Sequence, residues 1–240
     1  MDRFEAVDRE ITRRLWVKKQ TNMILCGAIF ILSVLAFFFK ARYEGGILTC
    51  FREMTVDGTV FTGVTSLILV IFNAIELHQG NQHSSRALYF WRISSVVTEF
   101  MILFIVILGY MPFWPYDNPV LLRFDMMNMH LIIPVLTMIS FCLNDEPVGK
   151  VRPAEMLSGL NFLAIYGITM IILILVSVVP EDKIPYSFLN VKHGVSWLTI
   201  AVAALIVVVG YGLSWLFWWL NRKLSWGWYR RLNAGRKREK

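Results

Sequence analysis

Thr55 and His130 are the two residues whose types could do chemistry together. A threonine hydroxyl becomes a nucleophile when a base within hydrogen-bond reach removes its proton. Histidine is the usual base because its imidazole titrates near neutrality. His130 lies inside the apolar stretch Asn128-Met129-His130-Leu131-Ile132-Ile133-Pro134-Val135-Leu136. An ionisable group at membrane depth is costly and marks a pathway or an active centre. Thr55 opens another apolar run through Thr55-Val56-Asp57-Gly58-Thr59. A hydroxyl–imidazole pair in such a setting implies acyl transfer on a lipid ester.

A catalytic imidazole works best when a third polar group fixes its tautomer. Asp125, Asn128 and Asp57 are the candidates for that role; Thr59, Glu99 and Asn190 complete the supporting polar set. Each residue also has a plainer reading. Thr55 is a suitable helix N-cap, with Asp57 favourable in the first turn. His130 can serve as an interhelical hydrogen-bond donor. Glu99 can pair with a basic residue or act as a protonated donor.

The elements that must position these groups follow from composition. The chain has 240 residues, 56% hydrophobic and only 17% charged, against about 25% charged in a soluble domain. The apolar runs lack the alternation of barrel strands. The fold class is therefore all-α: a polytopic membrane protein with six transmembrane helices. The spans fall at about 21–40, 55–76, 91–111, 126–143, 156–179 and 196–220, each near the ~20 residues that a bilayer requires. Residues 1–20 read as an amphipathic helix on the membrane surface, 21–220 as the membrane domain and 221–240 as a basic tail. Pro134 kinks the fourth span beside a polar cavity.

The net charge of +7 would suggest nucleic acid in a soluble protein; here it is a topology signal, and no nucleic-acid partner is expected. Most Lys and Arg residues lie in the two terminal segments and the even-numbered loops, among them Arg9, Arg13, Lys18, Arg86, Lys150, Arg222 and Arg236. The opposite face holds only Lys40, Arg42, Arg52, Arg123, Lys183 and Lys192. The positive-inside rule places both termini in the cytoplasm, with the basic tail on anionic lipid. Thr55, Asp57, Thr59, Asp125, Asn128, His130, Tyr186, Asn190, Lys192 and His193 then share the outer side, Glu99 lies nearer the middle, and His78 and His83 lie inside. A catalytic zinc site needs three protein ligands. The histidines are split between the two sides and show no HExxH pattern, so neither metal nor other cofactor is expected. The three cysteines have no paired spacing and predict no disulfide.

The same segments resemble a known family. Phe51-Arg52-Glu53-Met54-Thr55 is similar to the F-x-x-[FLM]-T opening of the second span in the androgen-induced and androgen-dependent membrane hydrolases and their bacterial relatives. Asn128-Met129-His130 with Pro134 resembles their histidine-bearing span. Ile184-Pro185-Tyr186-Ser187-Phe188-Leu189-Asn190, followed by Gly194, resembles the Y-P-[YF]-x-F-L-[ND] loop of the bacterial branch. Relatives often read T-x-x-S-N where this chain reads Thr55-Val56-Asp57-Gly58-Thr59. The resemblance implies a metal-independent hydrolase of fatty-acid esters of hydroxy fatty acids, with Thr55 as nucleophile and His130 acting with it, in a bacterial plasma membrane. The alternatives are a lipid-binding protein without turnover and a proton-coupled transporter using Asp57, Glu99 and His130.

Overall fold

The computed structural model describes residues 3–79, 85–110, 122–146, 148–192 and 194–238. Its elements are α1 (Arg3–Tyr43), α2 (Ile47–Cys50), α3 (Met54–Gln79), α4 (Arg86–Ile105), α5 (Phe124–Met127), α6 (Ile133–Asn144), α7 (Pro153–Met156), α8 (Asn161–Leu175) and α9 (Trp197–Arg238). A π-helical turn, Val106–Tyr110, extends α4; another, Asn128–Ile132, joins α5 to α6; a 3-10 turn, Leu157–Leu160, joins α7 to α8. The described residues contain no strand. Among the described residues, six helical stretches are long and apolar enough to cross a membrane: Glu10–Tyr43, Met54–Gln79, Arg86–Leu108, Phe124–Asn144, Pro153–Leu175 and Trp197–Ser225.

Three of the differences from the expected boundaries bear on the fold. No break separates the first twenty residues from the first span, because α1 continues through both. Similarly, α9 runs on through the basic tail to Arg238. The fifth span stops at Leu175, although Val176, Val178 and Val179 continue the apolar run. Ser177 adopts φ 59°, its N–H donates to Ile174 O at 3.0 Å, and Val178 N–H donates to Leu173 O at 2.9 Å. That pattern satisfies the last carbonyls and ends a helix whatever the hydrophobicity of the residues beyond it. Val179 then packs into the core as a loop residue.

Small residues let the helices approach. A Cβ on Gly63 of α3 would stand 2.8 Å from Ser33 Cβ of α1, and one on Gly58 would stand 2.9 Å from Ile102 Cδ1 and 3.0 Å from Thr98 Cγ2 of α4. Close backbone approach of this kind is how helices associate in lipid, where apolar side chains gain nothing from leaving water. The largest apolar core cluster joins α4, α6, α8 and α9 through Ile93, Val97, Phe141, Phe162, Met170 and Phe217.

The end of the bundle that carries both chain termini is held by a buried ionic knot. Arg92 Nε of α4 donates to Asp145 Oδ2, just past α6, at 3.1 Å, with the two side chains 1% and 6% exposed. Asn22 Nδ2 of α1 donates to Asp145 Oδ1 at 2.7 Å. From α9, Asn221 Nδ2 and Ser225 Oγ both donate to Asp145 O at 2.9 Å. Lys18 Nζ closes the ring by donating to Ser225 O at 2.6 Å. Burial pushes the Asp145 carboxyl up, and the Arg92 guanidinium opposes that shift. One residue thus ties α1, α4, α6 and α9 together.

Removing one member of a buried pair strands the other charge at a cost of about 3–5 kcal/mol. Arg92→Ala and Asp145→Ala are each expected to lose that much stability. Thermal unfolding of the detergent-solubilised protein checks it, and a change below about 1 kcal/mol in both variants would contradict the knot's structural role.

Candidate active site

At the opposite end of the bundle from the termini lies a cavity of about 300 Å³, and both Thr55 and His130 line it. Its apolar wall comes from Met54, Ile102, Ile105, Val106 and Met126; its polar rim comes from Lys40, Glu53 and Tyr186. Three separate devices place the reactive pair.

The first is the start of α3. Glu53 O accepts from Val56 N–H at 3.0 Å and from Asp57 N–H at 3.2 Å, which closes the first turn. Tyr166 Oη of α8 donates to Arg52 O at 2.7 Å and pins the approach to that turn. Thr55 is therefore held within the first turn, half-buried, and its hydroxyl makes no hydrogen bond to another described residue. Asp57 in the same turn complements the positive end of the helix dipole.

The second device is the π turn Asn128–Ile132. Ile133 N–H reaches back to Asn128 O, five residues earlier, and Pro134 at the next position has no N–H to give. A π turn of this kind locally widens the helix and recurs at functional sites. Within it, His130 Nδ1 lies 2.8 Å from Met126 O. A carbonyl can only accept, so Nδ1 carries a proton, and in the neutral ring Nε2 keeps its lone pair. The imidazole is thus set in the tautomer that a general base requires, with Nε2 as the basic atom.

This corrects the expected source of tautomer control. Asp125 is buried but committed to Arg123, whose Nε and Nη2 donate to its two oxygens at 3.1 and 2.7 Å. Asn128 Nδ2 donates to Phe124 O at 2.7 Å. Asp57 is in α3, away from the cavity lining. The helix itself supplies the partner, because residue 126 lies one turn below residue 130 and its carbonyl is within reach of the ring.

The remaining supporting residues are not brought to the cavity either. Thr59 is fully buried and its hydroxyl has no partner among the described residues. Glu99 is fully buried in α4, with both carboxylate oxygens likewise unpartnered among the described residues. Asn190 lies in the loop before α9, where Nδ2 donates to Glu181 Oε1 at 3.0 Å and Oδ1 accepts from Lys192 N–H at 3.3 Å. Its carboxamide organises that loop, while Pro185 and Tyr186 of the same loop reach the cavity. His83 and His193 lie outside the described residues. Among the described residues, no group of three His, Cys, Asp or Glu side chains stands close enough to share a metal ion.

Two charged lining residues lay outside the expected set. Lys40, only 6% exposed, forms ion pairs at 3.0 Å with both Glu44 and Glu53. In the linear chain Lys40 reads as the charged end of a span, and Glu53 as a loop residue. The available signal was adjacency, since Glu53 precedes the candidate nucleophile by two positions. The third device is this ionic rim, which fastens the end of α1 to the start of α3.

The hydrogen bond to Met126 O makes a direct spectroscopic prediction. In ¹⁵N NMR of histidine-labelled protein at pH 8, His130 is expected to show a protonated, pyrrole-like Nδ1 and an unprotonated, pyridine-like Nε2. The reverse pattern would contradict the geometry described here.

No protein-family model, curated protein or solved structure matches this chain.

Proposed function

We propose that this protein is an intramembrane hydrolase of a lipid or fatty-acyl ester, with Thr55 as nucleophile and His130 as general base. The observation that carries the reading is the shared cavity: residues 75 positions apart along the chain converge on one void. The family resemblance of the Thr55 and His130 segments points to the same pair and to fatty-acid esters of hydroxy fatty acids as the substrate class.

The chemistry follows from the groups present. His130 Nε2 takes the Thr55 hydroxyl proton as Oγ1 attacks the ester carbonyl carbon. The tetrahedral intermediate collapses, the C–O bond to the alcohol breaks, and the alcohol leaves with the proton from His130. Water then attacks the acyl-threonine, again giving a proton to Nε2, and the fatty acid departs as Thr55 Oγ1 recovers that proton. Backbone N–H groups at the beginning of α3 sit at the positive end of the helix dipole, a suitable place for the transient oxyanion. Ile102, Ile105, Val106 and Met126 offer an apolar seat for the acyl chain, and the Lys40–Glu53 rim a polar end. No cofactor takes part in these steps.

The setting is a plasma membrane crossed six times, with both termini in the cytoplasm, the cavity near the outer face and the basic tail on anionic lipid. A second reading, a lipid-binding protein without turnover, is favoured by one observation: no hydrogen bond joins Thr55 to His130 among the described residues. Such bonds often tighten only in the substrate complex.

A fluorophosphonate probe and an ester-release assay separate the two. Wild-type protein is expected to label and to release fatty acid. Thr55→Ala should abolish labelling, and His130→Ala should lower turnover by about 10²–10⁴-fold, the usual worth of a positioned base. Equal labelling of wild type and both variants would remove the pair. Normal acyl-ligand binding by Thr55→Ala, with no turnover by wild type, would establish the binding protein instead.

A further inference from the structure

A second cavity, of about 60 Å³, lies at the terminal end of the bundle beside the ionic knot. It is independent of the ester site and is lined by Lys19, Asn73, Glu76, Arg92, Asp145 and Glu146, with Phe72 and Leu88 at its apolar edge. It is small, but a water needs only about 10–15 Å³ of such space, so there is room for a short polar group of a few water-sized parts.

The lining is unsatisfied in a patterned way. Arg92 Nε is spent on Asp145, but Nη1 is buried without an acceptor among the described residues. Asn73 Nδ2 is likewise a buried donor without an acceptor. Both residues are more than nine-tenths buried. Glu146 Oε1 is a buried acceptor without a hydrogen-bond donor, its nearest cation being Lys19 at 3.7 Å. Lys19 itself is engaged by Glu76 at 2.8 Å. Buried polar atoms are normally paired, and each lost partner costs about 1–3 kcal/mol. Two orphan donors and one acceptor held only by a long 3.7 Å ion pair therefore define a complement: a group that accepts on one side and donates on the other.

Charge narrows the class. The lining cations Lys19 and Arg92, with Lys18 beside them, face the carboxylates of Glu76, Asp145 and Glu146. The cluster is balanced, which disfavours a purely anionic occupant and suits a zwitterion. Depth and access narrow it further. Asn73 lies six residues before the end of α3, roughly 9 Å along the axis at the helical rise, and Ser85 at the rim caps the start of α4. For a helix that crosses a bilayer, this is the level of the headgroups. Phe72 of α3, at the edge of the cavity, is 44% exposed.

We propose that this cavity seats the headgroup of an amine-bearing zwitterionic phospholipid, its phosphate oxygen on Arg92 Nη1 and Asn73 Nδ2 and its primary ammonium on Glu146. The primary amine matters, because a quaternary ammonium has no proton to donate to Glu146 Oε1. The same chemistry exists on soluble phosphoethanolamine, so source and headgroup are tested together.

The experiment is native mass spectrometry of the full chain released from mixed-lipid nanodiscs. Wild type is expected to retain phosphatidylethanolamine about tenfold over phosphatidylcholine and phosphatidylglycerol, the worth of one charge-assisted hydrogen bond. Asn73→Ala should weaken retention of phosphatidylethanolamine, and Glu146→Ala should erase its preference over phosphatidylcholine. Both variants leave the Arg92–Asp145 pair intact, and unchanged melting temperatures confirm folding. Equal retention of all three lipids by wild type overturns the proposal, as does retention of none, which would leave a cavity holding water only. Binding of soluble phosphoethanolamine without retention of the lipid overturns the lipid as its source.

Discussion

A guanidinium and a carboxylate removed from water need each other, and Arg92 and Asp145 are the pair on which this bundle depends. Taking either ion into a low-dielectric interior is costly, and the attraction between them compensates only when further hydrogen bonds satisfy the remaining lone pairs and protons. Asn22, Asn221 and Ser225 provide those bonds. The requirement for good geometry constrains α1, α4, α6 and α9 at one point at one end of the bundle. Lys40, Ile102, Ile105 and His130 at the far end stand on or beside helices whose other ends are set there.

The far end is built on different physics. Its groups are held by irregular backbone rather than by a knot of side chains. A π turn and a proline loosen the ladder around His130, and the ring bonds the Met126 carbonyl. The first turn of α3 is braced from outside by Tyr166. The Lys40 ion pairs then fasten the end of α1 to the start of α3. Departures from regular helix at membrane depth are tolerated where they line a polar cavity, and here two π turns, through Val106 and His130, border the same void.

Between the two ends runs a buried polar seam. Ser95 Oγ donates to Thr62 Oγ1 at 3.0 Å across α4 and α3, and Glu99, Thr59 and Thr98 lie fully buried along the same interface. In lipid such hydroxyls let helices approach and bond across the gap. The seam gives α3 and α4 a defined register, and with it the relative height of Thr55 and Ile102 at the cavity.

Hydrophobicity is additive along a chain, so the amino-acid sequence by itself determined the six apolar helices and the breaks between them. Counting spans also put Thr55 and His130 at the same end, since both open spans that run in the same direction. The helix ends were less legible: Val176 to Val179 read as membrane residues until Ser177 turned the backbone. The partners of Asp145 and the Lys40–Glu53 pair belonged to tertiary structure. Asp145 lies just beyond the fourth expected span in the chain, yet it is the central buried carboxylate; Lys40 and Glu53 flank spans in the chain, yet they rim the cavity. Asp125, Asn128 and Asn190 were near enough in the chain to serve the site, yet Arg123, Phe124 and Glu181 claimed them first. The reason is geometric: a polar side chain bonds whichever complementary atom lies within about 3 Å; for Asp125, Asn128 and Asn190 the local turn supplies that atom, while for Asp145 and Lys40 only the packing of separate helices brings it there.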